Sequence, residues 1–175
     1  MNVTIFGGAS PRPGEPAYEE ARRLGELLAR AGHCVLTGGY VGTMEAVSRG
    51  AAEAGGHVIG VTCDEIEAWR PVRPNAWVHE ERRFTTLRQR LFALMEGGDA
   101  AVALPGGIGT LTEVAETWSH AQIGARYQRP LVLVGSGWQR TLETFITAFD
   151  DYIRPEYRGL LRYAADVDCV LPLLD

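Results

Sequence analysis

At 175 residues and 46% hydrophobic composition, the chain is long enough to close one full core, and no apolar run approaches a membrane span. A formal charge of -5 argues against nucleic acid as the main partner. All 17 basic residues are arginine. This excludes pyridoxal-phosphate chemistry, which needs a lysine Schiff base, and a Walker-type loop, which needs a lysine for its phosphates.

The chain begins on the strand-like run Val3 to Phe6, so no signal peptide is expected. Further strand candidates are Cys34 to Thr37, His57 to Val61, Ala100 to Leu104, Pro130 to Val134 and Asp168 to Leu171. Helices are predicted between them over roughly 16–31, 43–54, 81–97, 109–123 and 138–152. Several strands are rich in Val, Ile or Leu with little alternation, the pattern of strands covered on both faces. The expectation is an α/β, Rossmann-like, doubly wound parallel sheet with helices on both faces, formed by residues 1–175 as a single nucleotide-binding domain. Gly32 and Gly55-Gly56 read as C-terminal caps of the first two helices. The segment Cys63 to Glu80, with Trp69 and Trp77, is the longest irregular stretch and is read as a lid or interface piece. Of Cys34, Cys63 and Cys169, the first and last lie in apolar runs and are expected as buried thiols, which fits a reducing cytoplasmic setting.

Three glycine-rich corners follow strands one, two and four. They are Gly7-Gly8-Ala9-Ser10, then Gly38-Gly39-Tyr40-Val41-Gly42-Thr43, then Pro105-Gly106-Gly107-Ile108-Gly109-Thr110. Open parallel sheets bind ligands beyond the carboxyl ends of their strands, so the three corners are expected to converge on one cleft. Main-chain amides at a strand-to-helix turn, with hydroxyls from Ser10, Thr43 and Thr110, can hold a phosphate without lysine. The candidate phosphate or nucleotide contacts are Gly8, Ser10, Gly39, Gly42, Thr43, Gly106, Gly107, Gly109 and Thr110. The first corner lacks the dinucleotide spacing, and no acidic residue follows the second strand to hold a ribose, so NAD and FAD are not expected.

Glu113 lies three residues after Thr110, at the edge of an apolar stripe formed by Leu111, Val114, Ala115 and Trp118. The plainer account of Glu113 is a first-turn carboxylate that complements the helix dipole. Arg82, Arg83, Arg88 and Arg90 are read on the preceding helix, with Arg83 and Arg90 sharing a face. An arginine turned to the cleft could clamp a phosphate or orient a carboxylate. The four histidines show no metal-ligand spacing, and there is no Gly-x-Ser-x-Gly elbow. No metal and no cofactor are expected.

Arg90, Asp99-Ala100, Leu104-Pro105-Gly106-Gly107-Ile108-Gly109-Thr110, Glu113 and Ala121-Gln122-Ile123-Gly124 together resemble the LOG ("Lonely guy") family of cytokinin-activating phosphoribohydrolases, often mislabelled lysine decarboxylases. The other two glycine corners match the family's as well, so the resemblance covers nearly the whole chain. It implies a homodimer that binds a nucleoside 5′-monophosphate, with the signature glutamate and an arginine of the preceding helix as catalytic residues. By motif position these are Glu113 and Arg90. Cytokinin-activating members carry Arg-Lys on that helix, whereas Arg90 is followed here by Leu91. Related proteins with the same glycine signature resemble molybdenum-cofactor carriers. The leading expectation is therefore hydrolysis of the N-glycosidic bond of a purine nucleoside 5′-monophosphate such as AMP, the purine N6-modified in some substrates. A non-enzymatic nucleotide sensor or phosphorylated-pterin carrier is the alternative, and a dimeric scaffold whose exposed Trp138 and Trp69/Trp77 loop serve an interface is the third.

Overall fold

The computed structural model describes residues 1–124 and 129–174. Its seven strands form a single all-parallel sheet in the order β4-β3-β2-β1-β5-β6-β7. These are β1 (Asn2–Phe6), β2 (Cys34–Thr37), β3 (Val58–Cys63), β4 (Glu80–Phe84), β5 (Ala100–Ala103), β6 (Leu131–Val134) and β7 (Leu161–Ala164). The chain moves outward from β1 to one edge, returns to the middle at β5 and moves outward again. Its direction of travel reverses between β1 and β5, where open α/β sheets place their ligand crevice. β1 and β5 pair from Val3 opposite Ala100 to Phe6 opposite Ala103, so the two strands end side by side.

Continuous burial explains the central strands. β3, β5 and β6 are buried at every position, as parallel strands between two helical layers must be. On one face, α1 (Pro16–Arg30) and α2 (Thr43–Glu53) press Tyr18, Leu24, Leu28 and Val47 onto Val3, Ile5 and Val35. On the other, α4 (Leu87–Gly97), α5 (Ile108–Gln122) and α6 (Ser136–Ala148) set Leu94, Val114, Trp118, Trp138 and Leu142 over Phe6, Leu36 and Leu133. Gly32 and Gly55 take positive φ of 79° just after α1 and α2, as caps in the left-handed region do.

Several sequence expectations are corrected. The helix expected over 81–97 begins only at Leu87. Glu80–Phe84 is instead an edge strand paired with β3, and its charged, alternating pattern suits an edge that faces water. Thr86 then starts α4 through a capping box with Gln89. Arg82 and Arg83 are thus strand residues, and Arg83 and Arg90 share no helix face. The irregular segment after Cys63 contains a short α3 (Asp64–Trp69). The helix expected over 138–152 starts at Ser136 and ends at Ala148. The last strand is β7, which sequence reading missed; the run Asp168 to Leu171, expected as strand, falls instead in the 3₁₀ turns Val167–Cys169 and Leu171–Leu173, the first started by the Asp166 side chain accepting from the Cys169 N–H. Cys169 is exposed and Cys34 half-buried, while Cys63 is buried. Of the stripe expected on α5, Val114 and Trp118 are buried, whereas Leu111 and Ala115 are exposed. Trp138 is buried, its indole N–H donating to the Leu104 carbonyl at 3.1 Å.

Candidate functional site

The three glycine corners meet at the carboxyl ends of β1, β2 and β5 and are tied by the main chain. The Gly8 N–H donates to the Pro105 carbonyl at 3.1 Å, and the Gly8 carbonyl accepts from the Thr43 N–H at 2.9 Å. The close approach leaves no room for side chains. A Cβ on Gly106 would fall 2.1 Å from the Thr110 Oγ1 and 3.0 Å from the Gly8 nitrogen, and one on Gly7 would fall 2.4 Å from the Thr43 methyl. Gly42 has φ of 72°, and a Cβ there would strike the Ala9 backbone.

This knitting decides which amides face outward. The amides of Gly8 and Thr43 are used by the corners themselves, and the Gly39 N–H donates to the Thr37 Oγ1 at 3.0 Å. In α5 the first amide of the helical ladder is that of Leu111, which donates to the Gly107 carbonyl. The amides of Ile108, Gly109 and Thr110 precede it, and Pro105 through Gly109 are exposed. An anion approaching this rim meets the third corner. Gly8 is half-buried, Gly39 is buried against Gly60 and Thr62, Gly42 and Thr43 are buried, Ser10 is exposed, and the Thr110 side chain lies against Gly106.

Arg90 and Glu113 lie behind this turn. Arg90 leaves the first turns of α4 and is 6% exposed. Its Nε–H donates to the Val61 carbonyl of β3 at 2.8 Å. Its Nη2 approaches the Met44 Sδ at 4.0 Å, a weak acceptor. The guanidinium lies over the Tyr40 ring at 5.7 Å, and a Cβ on Gly38 would overlap Nη2. Glu113 is the sixth residue of α5, beyond the turn where the helix dipole alone would explain it. Arg90 Nη1 and Glu113 Oε1 stand 4.0 Å apart, with side chains 7% and 14% exposed.

That distance is electrostatic contact without a hydrogen bond. Among the described residues no donor reaches the Glu113 carboxylate. Burial therefore dominates its ionisation and pushes the carboxyl up to about 7, against the opposing pull of Arg90. Burial likewise draws the Arg90 guanidinium below its ordinary range; Glu113 resists this and Arg70 adds to it. A buried carboxylate and guanidinium with unused hydrogen-bonding capacity are expensive in a finished core and common where a ligand completes the set. The neighbouring arginines have other partners: Arg83 is bound to Glu67 and Asp64 on α3, and Arg82 to Glu80.

Sequence reading missed the frame that holds Arg90. Val61, Met44, Gly38 and Tyr40 carried no motif that pointed to an arginine. Asn75, whose Nδ2 donates to the Gly39 and Tyr40 carbonyls at 3.0 and 2.9 Å, fell in an unpatterned stretch. On the other side of the third corner, a hollow of about 360 Å³ is lined by Gly106, Ile108, Leu111 and Trp138. It adjoins an apolar groove of about 520 Å³ between α5 and α6, lined by Val114, Trp118, Phe145 and Tyr152.

A family model described as "Possible lysine decarboxylase" matches residues 44–174. A cytokinin riboside 5′-monophosphate phosphoribohydrolase of Rhodococcoides fascians is 32% identical over 95% of this chain and 85% of its own length. The chain belongs to this family, the LOG family. Another LOG-family relative, the phosphoribohydrolase LOG7 of Arabidopsis thaliana, is 34% identical over 91% of this chain and 74% of its own length. Solved structures share the fold. The molybdenum cofactor carrier protein of Chlamydomonas reinhardtii has a TM-score of 0.71 and 29% identity over 99% of this chain and 96% of that one. The molybdenum cofactor binding protein of Rippkaea orientalis has a TM-score of 0.76 at 24% identity, covering 98% and 93%. None of the described helices is long and apolar enough to cross a membrane.

Proposed function

We propose that this LOG-family chain hydrolyses the N-glycosidic bond of a purine nucleoside 5′-monophosphate, releasing free base and ribose 5-phosphate. The observation that carries this reading is the buried Arg90–Glu113 pair, 4.0 Å apart and short of hydrogen bonds, with Glu113 on α5 shortly after the exposed first residues of that helix. The 5′-phosphate sits on the amides of the Gly106–Thr110 turn, where the positive end of α5 favours an anion. Gly8, Gly39, Gly42 and Thr43 shape the seat, and Ser10 offers a hydroxyl at its edge. Bound this way, the ribose reaches inward and its C1′ comes beside Glu113.

As the bond from C1′ to the base nitrogen breaks, its electron pair leaves with the base and positive charge builds on C1′ and the ring oxygen. An ionised Glu113 stabilises that charge and takes a proton from the attacking water, which adds to C1′. A proton from solvent or the site completes the departing base. Arg90 orients Glu113 and favours its ionised form. A carboxyl that titrates near 7 suits a base working at neutral pH. The relatives' printed names support the reaction class. The choice of substrate, AMP or an N6-prenylated AMP, is part of the proposal. So is a homodimer, in which the exposed groove between α5 and α6 is covered by a second copy.

The test is incubation of the purified protein with AMP and with N6-prenyl-AMP, with base release followed by chromatography. Glu113→Gln is expected to stop release while nucleotide binding persists; release by the variant at the wild-type rate sinks the assignment. The carrier reading is favoured by the likeness to the Chlamydomonas carrier protein and by Leu91. It predicts a pterin retained through purification, seen by mass spectrometry, with no base released from any nucleotide.

A further inference from the structure

Within the frame around Arg90, the Tyr40 ring is itself fixed at both ends. Tyr40 is fully buried at the start of the second corner's turn. Its hydroxyl is held twice by one residue of β3: the Cys63 N–H donates to it at 2.9 Å, and it donates to the Cys63 carbonyl at 3.1 Å. Asn75 holds the Tyr40 carbonyl, so both ends of the residue are fixed. The ring clamped between these anchors presents its face to Arg90 at 5.7 Å. A guanidinium within about 6 Å of a desolvated aromatic face is attracted by it. Arg90 otherwise has one strong hydrogen bond, from Nε to the Val61 carbonyl, while Nη2 lies against Gly38 and the Met44 sulfur and no hydrogen bond ties Nη1 to Glu113.

We propose that Tyr40 is a positioning residue: its clamped ring holds the Arg90 guanidinium at the distance from Glu113 that the site requires. The proposal rests on the reading of Arg90 and Glu113 given above, yet it makes a prediction independent of turnover. If the ring is removed, Arg90 swings from Glu113, and the carboxyl loses the cation that opposes its burial. The groups that bear on this titration are few. Arg90 of α4 is the charged group that acts on Glu113. Arg90 itself is faced by Glu113 of α5, Cys63 of β3, Tyr40 and Arg70. The phenol, its own ionisation raised chiefly by burial, stays neutral throughout.

The experiment is a ¹³C NMR titration of glutamate-labelled protein, with Glu113 assigned by its loss in Glu113→Gln, run beside base-release kinetics. Tyr40→Leu is expected to move the Glu113 midpoint upward by about half a pH unit or more and to lower kcat ~10-fold or more with little change in KM. Tyr40→Phe keeps the ring, and is expected to hold the midpoint while losing about threefold in kcat with the hydroxyl anchors. Should the leucine variant fail to fold, pentafluorophenylalanine at position 40 keeps the shape and reverses the electrostatics of the face, and the same upward shift is expected. An unchanged midpoint in a folded ring-less or ring-reversed variant overturns the proposal, as does an equal shift in Tyr40→Phe. If no nucleotide is hydrolysed by the wild type, the enzyme reading fails while the NMR shift still decides the role of Tyr40.

Discussion

Two arginine–glutamate groupings on this molecule use the same side chains and come to opposite ends. On the outer face of α1 and α2, Glu53 receives the Arg22 Nε–H at 2.8 Å and the Arg49 Nε–H at 2.9 Å, with side chains between 31% and 39% exposed. Its carboxyl is held below the ordinary range, chiefly by the hydrogen bonds from Arg49 and Arg22. At the rim, Glu113 and Arg90 stand farther apart, with no hydrogen bond between them, and the carboxyl rises instead. Good geometry in water quiets a carboxylate, while poor geometry under burial leaves it ready to exchange a proton near neutrality.

The sharpest way to break that contrast is to delete each carboxylate in turn. Glu113→Gln is expected to reduce base release by about 10²-fold or more, and Glu53→Gln to leave kcat unchanged. Comparable losses in both would show that the rim pair is not special. Arg90→Met comes next. It should lower kcat by ~10-fold or more, and because Arg90 alone pulls the Glu113 carboxyl downward, the rising limb of the pH–rate profile should move to higher pH. In the wild type that limb reports the ionised form and should have its midpoint near 7; a midpoint in the ordinary carboxylate range would contradict burial as the dominant influence.

Stability gives a third comparison, with opposite signs in the two places. The folded state holds the Glu113 proton up to about 7, above the ordinary value of 4.5, so this group's contribution weakens as pH rises between the two. Glu113→Gln should therefore stabilise the protein at pH 8, by an amount on the order of 3 kcal/mol, and lose that advantage by pH 4. Thermal melts at both pH values would show it, and an advantage independent of pH would refute it. Glu53 behaves in the reverse sense: its stabilisation is present above the ordinary carboxyl range and lost as pH falls through its lowered value. The expected loss in Glu53→Gln at pH 7 is the smallest effect, at most about 1 kcal/mol for a solvent-screened pair.

The same contrast between local and distant causes separates what was legible in the sequence. Uninterrupted apolar runs such as Val35-Leu36 and Leu131–Val134 announced strands covered on both faces, and the glycine corners announced the rim, because both signals are written within a few residues. Glu80–Phe84 was misread because four charged residues suit an edge strand as well as an exposed helix, and only pairing with β3 separates the two. β7 was missed because Leu161–Ala164 is short and half polar, and its identity comes from β6. Glu113 and Arg90 were singled out through the resemblance to the LOG family, and the structure brings their side chains together. Their spacing of 4.0 Å and the slot built from Val61, Met44, Gly38 and Tyr40 were beyond reach, since the slot joins the turn after β2, the start of α2 and the middle of β3 around a side chain from α4.

The stitching of Gly8 to both Pro105 and Thr43 has a consequence for how such a molecule diversifies. The part of the rim that would grip an anion is written in backbone atoms, which most substitutions cannot alter. The surfaces around it, from the Trp69 helix to the exposed Ile108, are written in side chains and stand open to change. On the function proposed above, a lineage built on this plan can trade one nucleobase, or one phosphorylated heterocycle, for another without rebuilding the grip on the phosphate. Chemistry and cargo-carrying become neighbouring options, separated by a few replacements around an unaltered seat.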